Sequence, residues 1–250
     1  AESLGVAGVI LQDLGVYELA RRHFPRLALH ASTQMAVHNV AGLRLLRELG
    51  FQRAILAREL ALDEIRVLRE AQTGVELEVF VHGALCYSVS GLCLASWALT
   101  GRSGNRGDCA QVCRSLFRVD EGQEDAGTRR PEEGHFFSCR DLYVGKEVLR
   151  LIEAGVSAFK IEGRMKSPEY VYNTVRLYRA LIDRGETIPA PEYAELERRA
   201  ALGFAREQTR GYLHNPKGEA LLDPAFPGHR GAPLGLVDAA NRDGVRLRLE

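Results

Sequence analysis

Five cysteines carry the most specific chemistry in this sequence. Cys86, Cys93, Cys109, Cys113 and Cys139 are spaced C-x6-C, x15, C-x3-C, x25, C, and the first four fall within 28 residues of a glycine-rich stretch. The count is odd and no basic-then-apolar leader precedes the first apolar run. That combination predicts a reducing compartment, the cytoplasm, where clustered thiols serve metals or redox work rather than disulfides. Structural zinc favours cysteine pairs two to four residues apart, and one such pair is present. An iron–sulfur cluster accepts wider, less regular spacing, and soft thiolates suit either. The plain alternative is a set of small buried hydrophobes.

A second group of polar residues falls at the ends of predicted strands. Lys160 lies on the apolar run AFKI, with Glu162 and Arg164 just past it. Charged side chains there can anchor a carboxylate or a phosphate, Arg164 through a bidentate fork. The alternative is a structural ion pair between Glu162 and a neighbouring arginine. His82, just ahead of the first cysteine, is a proton donor or substrate contact, or else a satisfied structural imidazole. With Lys160, Glu162 and Arg164 it makes up the catalytic candidates. His30, Thr33 and Gln34 close one strand, and Arg58 with Glu59 another. As a set they point to one rim and a substrate pocket; singly, each can cap the next helix. Arg102, Arg106 and Arg114, with Asn105 and Gln111, surround the cysteines. They grip a phosphate backbone, or they are a solvated loop or counter-charges to an anionic cluster. Tyr87, Trp97 and Tyr170 are candidates to stack on a base, with the core as the alternative.

The elements that must position these residues have a regular rhythm. Strands are predicted at Gly8 to Asp13, Leu27 to Thr33, Ala54 to Arg58, Glu76 to Val81 and Ala158 to Ile161. Helices are predicted near Val16 to His23, Val40 to Leu49, Ala61 to Ala71, Leu142 to Ala154 and Ser167 to Asp183. Up to Val81 the strand starts recur about every 20 to 25 residues, as in βα units on a parallel sheet. Glu76 and Glu78 share one face of their strand; Val79 and Val81 take the other. The rhythm breaks between Gly83 and Asp141, where the polar stretch Val119 to His135 is expected to loop out. A further helix and loop cover about 190 to 212. Pro216, Pro224, Pro227, Gly228, Gly231, Pro233 and Gly235 then mark a boundary, and the tail reads as a hairpin turning at Asn241 to Gly244.

This α/β pattern fits a (β/α)8 TIM-barrel-like fold with five of its eight strands counted, or an open doubly wound sheet. On the barrel reading, about three N-terminal βα units are missing, and the start at Ala1 reads as a fragment. The expected division is residues 1–190 as a partial barrel with a cysteine-rich insertion over 83–141, then 191–226 as helix and linker, then 227–250 as the start of a small β domain. Lys plus Arg and Asp plus Glu balance at 33 each, so net charge favours no partner. No run approaches 18 apolar residues, so no membrane role is expected.

Several segments together resemble the peptidase U32 family. ELEVFVHGALCYSVSGLCLAS (Glu76 to Ser96) is similar to its signature, GRSGNRGDCAQVCR (Gly101 to Arg114) to its second cysteine segment, and KIEGRMKSPEYV (Lys160 to Val171) to its KIEGR block. HASTQMAVHN (from His30), ARELALDEI (from Ala57) and PGHRGAPLG (from Pro227) are similar to further family segments. The resemblance implies oxygen-independent hydroxylases with a 4Fe–4S cluster, acting on a ribosomal RNA cytidine, a transfer RNA uridine or a ubiquinone precursor. In the RNA-modifying branches it implies prephenate as oxygen donor. The GRSGNRG form looks closest to the ribosomal RNA branch. It further implies that Cys86, Cys93 and Cys109 are ligands and that the fourth is Cys113 or Cys139, with Cys113 preferred. Two other functions compete. One is a hydrolase, the protease of the family's name, although H-E-x-x-H and G-x-S-x-G are both absent. The other is an iron–sulfur subunit of a hetero-oligomer.

Overall fold

The computed structural model describes residues 2–118, 133–214, 220–231, 235–242 and 244–249. Of the expected loop Val119 to His135, residues 119–132 lie outside them, as do Pro216 and Pro233 of the expected boundary, and Glu133–Gly134 is a short strand rather than loop.

Three βα steps and a fourth strand open the chain. They run β1 (Val9–Leu11), α1 (Leu14–His23), β2 (Leu29–Ala31), α2 (Val40–Glu48), β3 (Arg53–Ile55), α3 (Leu62–Glu70) and β4 (Glu76–Ala84). The helix starts follow from capping. Asp13 accepts the Val16 N–H and Asn39 the Gly42 N–H, each at 2.8 Å, which satisfies donors the first turn leaves free. Before α3, the Glu64 carboxylate accepts the Ala61 N–H at 2.7 Å.

The cysteine-rich excursion follows β4. It holds α4 (Ala95–Thr100), the short pair β5 (Phe117–Arg118) and β6 (Glu133–Gly134), and several single 3-10 turns. The chain then returns through β7 (Asp141–Tyr143), α5 (Val148–Glu153), β8 (Ala158–Ile161) and α6 (Pro168–Arg184), the last capped by Ser167 with Pro168 in its first turn. α7 (Ala190–Gly203), β9 (Gln208–Thr209) and the hairpin of β10 (Gly235–Asn241) with β11 (Gly244–Leu249) complete it.

β1, β2, β3, β4 and β8 pair in parallel and in that order. β7 joins β4 antiparallel, and β9 joins β7 in parallel. The helix expected from Leu142 is therefore corrected: residues 141–143 are a strand, and the helix begins at Val148. Asp141 and Leu142 are both buried, and pairing with β4 satisfies a buried backbone better than a helix start there would. The stretch after 190 also enters the main body, because β9 extends its sheet and Leu196 and Ala200 of α7 join its core.

The helices give the sheet two unlike faces. Leu77, Val79 and Val81 of β4 pack with Leu43, Leu46, Ile65, Leu68, Val148, Leu151, Leu177 and Leu181 from α2, α3, α5 and α6. Strand side chains alternate between faces, so His30, Arg53, Glu76, Glu78, Phe80 and Lys160 share the other face. His30 is in register with Arg53, Arg53 with Glu76, and Phe80 with Lys160. Among the described residues no helix is long and apolar enough to cross a membrane.

Candidate functional site

The site lies where the C-terminal ends of β2, β3, β4 and β8 meet the cysteine-rich excursion. Gly83 makes the closest approach. Its φ is +104°, and a Cβ on it would stand 2.4 Å from the carbonyl oxygen of Glu162. Only glycine lets β4 run this close to the end of β8.

Four of the five thiols are partly exposed, and Cys139 is buried. Burial pushes the Cys113 thiol up; Arg114 pulls it back, while the sulfurs of Cys86, Cys109 and Cys93 push it further. Cys113 thus has the other three thiols of the first group as electrostatic neighbours. Cys139 is pushed to about 11 by burial, with Cys113 and Cys86 the thiols that add to it. Two sulfurs already accept hydrogen bonds. The Ser88 side chain, then the N–H groups of Ala95 and Ser96, draw the Cys93 thiol down. The Gln111 N–H donates to the Cys109 sulfur at 3.3 Å. The donors on Cys93 favour its thiolate. Among the described residues no three His, Cys, Asp or Glu side chains gather tightly enough for a single metal ion. The donors present are thiolates, soft ligands of the kind an iron–sulfur cluster takes.

Two arginines hold the cysteine segments together. The Arg114 guanidinium donates to Ser138 Oγ at 2.8 Å, to the Cys139 carbonyl, and to the Leu85 carbonyl at 3.1 Å. One side chain beside Cys113 therefore ties the segments carrying Cys86 and Cys139. Arg164 donates to the carbonyls of Gly107 and Cys109. Its backbone N–H donates to the Glu162 carboxylate at 2.8 Å, while the Glu162 carbonyl accepts the Tyr170 hydroxyl at 2.9 Å. The contact between Glu162 and Arg164 is thus a backbone hydrogen bond.

The strand-end residues divide between support and lining. Thr33 Oγ1 donates to the Leu56 carbonyl at 3.0 Å, joining the ends of β2 and β3. Gln34 donates to Asn105 Oδ1 at 2.8 Å and to the Gly91 carbonyl at 3.3 Å, bracing two turns of the excursion. Glu59 accepts both the N–H and the hydroxyl of Ser90 at 2.8 Å. Arg58 and Lys160 both sit over the Phe80 ring, and Lys160 Nζ is 3.8 Å from Glu78. Burial, then Arg53, lowers His30. Arg102 pairs with Asp108, while Arg106 lines an open depression with Trp97 and Leu94.

His82 and Tyr170 pack against each other. Both are buried, and His82 packs edge-on against Tyr143, Tyr170 and Tyr178. Burial holds His82 down at about 4, so it is neutral at neutral pH.

The structure also brings in residues the sequence did not single out. Arg206 and Asp141 form a pair whose side chains are only 9% and 8% exposed. Lys166 is lowered to about 8 by burial. Arg210 and Tyr212 reach the site from the segment read as a linker. Nothing in their local pattern marks them; only the addition of β9 to the sheet delivers them.

Fold and site together describe an α/β protein with a thiol-rich loop across the C-terminal ends of a parallel sheet. Peptidase family U32 matches residues 1–222, and the chain belongs to that family. It is 38% identical, over 96% of its length, to a 23S rRNA 5-hydroxycytidine synthase of Escherichia coli, of which it spans 33%. It is 31% identical, over 99% of its length, to the tRNA hydroxylation protein P of the same organism, spanning 67% of that protein. A collagenase of Porphyromonas gingivalis is 34% identical over 73% of the chain, which spans 46% of that relative. No solved structure matches.

Proposed function

We propose that this chain takes part in oxygen-independent hydroxylation of RNA in the cytoplasm, using a 4Fe–4S cluster held by Cys86, Cys93, Cys109 and Cys113. The observation that carries this reading is that Arg114, beside Cys113, bonds the carbonyls of Leu85 and Cys139 while Arg164 bonds that of Cys109, so the cysteine segments are tied together. Relatives whose names state rRNA and tRNA hydroxylation support the substrate class. The parallel order β1-β2-β3-β4-β8, with helices packed on one face, supports a (β/α)8-type barrel whose C-terminal strand ends carry the site.

When bound, the cluster supplies the redox chemistry that releases oxygen from its donor, here prephenate. The protein's own share is placement. Arg114 and Arg164 fix the cysteine segments through backbone carbonyls. Arg58 and Lys160, both over Phe80, offer positive charge to a carboxylate or a phosphate. Cys139 is buried, and burial keeps its thiol protonated.

The test is anaerobic purification of the full-length protein with iron and sulfide analysis and an absorption spectrum, followed by mass analysis of ribosomal and transfer RNA from a deletion strain. About four irons and four sulfides per chain and a lost hydroxyl on one nucleoside are expected. Zinc without iron, and unaltered RNA, would sink the proposal. The collagenase relative would then favour a peptidase, with a thiol as nucleophile.

A further inference from the structure

The loop between Cys86 and Cys93 contains one tight turn, Val89–Gly91, and two of its residues are left-handed: Ser90 at φ 47° and Gly91 at φ 76°. Glycine takes such a φ freely, whereas serine takes it against steric resistance. Ser90 is also fully buried. A strained residue persists only where its surroundings hold it, and such residues collect at functional sites.

The groups that hold Ser90 come from the strand ends. One oxygen of the Glu59 carboxylate, past β3, accepts the Ser90 N–H and the other accepts the Ser90 hydroxyl, each at 2.8 Å. Gln34, past β2, donates to the Gly91 carbonyl at 3.3 Å. The Arg58 guanidinium packs so near Gly91 that a Cβ there would stand 3.1 Å from it. The chain doubles back across this turn, because the Ser88 side chain before it donates to the Cys93 sulfur after it. The conformation of Ser90 therefore sets how the leg with Cys86 lies against the leg with Cys93.

The geometry points to Glu59 as a positioning residue: by clamping Ser90 in its left-handed conformation, it presets the loop between Cys86 and Cys93 for the cluster. A six-residue spacer left free would have to be ordered when the metal binds. A loop ordered beforehand by the protein avoids that entropic cost. This role is separate from those of Arg114 and Arg164, which bond carbonyls at Leu85, Gly107, Cys109 and Cys139. The inference rests on the proposed iron–sulfur cluster, but the clamp itself can be measured in metal-free protein.

The experiment uses the full-length protein, wild type, Glu59→Ala and Glu59→Gln, prepared anaerobically, with a portion of each stripped of metal by a chelator. Hydrogen–deuterium exchange over residues 88–93 is followed in the stripped samples. Iron, sulfide and the EPR spectrum of the reduced protein are measured in the others, below each melting temperature. Glu59→Ala is expected to exchange the Ser90 amide about tenfold faster or more, as when a hydrogen bond to a charged acceptor is lost, and to hold less iron. Glutamine keeps the shape of the clamp, its carbonyl accepting the N–H and its amide donating to the hydroxyl oxygen. Glu59→Gln is therefore expected to return both slow exchange and iron. Wild-type exchange in Glu59→Ala, or full iron with an unaltered EPR spectrum, would overturn the proposal. Iron lost from Glu59→Gln with exchange still slow would also overturn it, since charge and not position would then matter. If the wild type itself holds no iron, the cluster reading has failed, and exchange alone decides whether Glu59 sets the loop. If Glu59→Ala does not fold, Ser90→Ala, which removes only the hydroxyl contact, goes through the same measurements. Faster exchange and less iron uphold the proposal; wild-type values overturn it.

Discussion

Arg164 Nη2 donates to the carbonyl oxygen of Cys109 at 3.0 Å, so the end of β8 grips the loop that carries a thiol. A second donor of the same guanidinium goes to Gly107. A lysine offers a point charge and cannot span two carbonyls as a planar fork does. Arg164→Lys is therefore expected to fold, with a loss of about 1 kcal/mol, yet to hold less iron per chain. Urea denaturation and iron analysis on one preparation check both halves. Full iron content in the variant would show that the grip is dispensable.

The two candidate fourth ligands differ in their surroundings. Cys113 has Cys86, Cys93 and Cys109 as neighbours, whereas Cys139 senses Cys113 and Cys86 and its backbone bridges to Leu222. Cys113→Ala should lose the cluster's visible absorption, and Cys139→Ala should keep it. Absorption spectra of the two variants, prepared anaerobically, assign the fourth position; the reverse pattern would give it to Cys139.

Gly83 shows how much of the site depends on one missing methyl group. Alanine there meets a positive φ and a carbonyl oxygen 2.4 Å from its Cβ. That oxygen belongs to backbone and cannot swing aside. Gly83→Ala is expected to cost about 3 kcal/mol, most of it strain, read as a lowered urea midpoint. A wild-type midpoint would mean that β4 and β8 can separate freely.

The periodicity of the first half exposed its βα order, because each strand is a short apolar run followed by a capped helix, as Asp13 and Asn39 demonstrate. The cysteine segments and the strand-end residues, read separately from the sequence, are tied together by Gln34, Glu59 and Arg164. What the sequence could not convey was direction. Arg114 reads as a surface cation beside a glycine loop but turns inward to three acceptors. Tyr170 reads as a stacking platform or as core, and at 1% exposed it is core. β7 was hidden because its three residues lead straight into a helix, and only the partner strand β4 decides between the two structures. Tyr212 and Arg210 reach the site across a long sequence separation, which no local pattern encodes.

His82 gives a pH prediction with a definite sign. Its imidazole is held at about 4 in the fold against 6.5 in the free residue, mainly by burial. The folded value is depressed, so the unfolded chain takes up the proton first as pH falls. The contribution of His82 is intact above about 6.5 and is lost progressively down to about 4, by roughly 3 kcal/mol at most. Carboxylates titrate over part of the same range, so the informative quantity is the difference between wild type and His82→Gln. Urea midpoints should show wild type losing stability faster than the variant on acidification. Parallel curves would mean that water reaches the ring.

The Asp141–Arg206 pair predicts an asymmetry between single and double replacement. The two charges lie 3.0 Å apart with side chains almost fully buried, and Arg206 also donates to the Pro227 carbonyl at 2.6 Å. Arg206→Met leaves the Asp141 carboxylate without its counter-charge in a poorly solvated place, at a cost of about 3–5 kcal/mol. Asp141→Asn with Arg206→Met removes both charges and should recover most of that loss, because neither desolvation penalty remains. A double-mutant cycle in urea measures the coupling. Additive losses would mean that each group is held by other partners. Recovery in the double variant would show that the pair fixes β7 and the segment after α7 in register without adding much net stability.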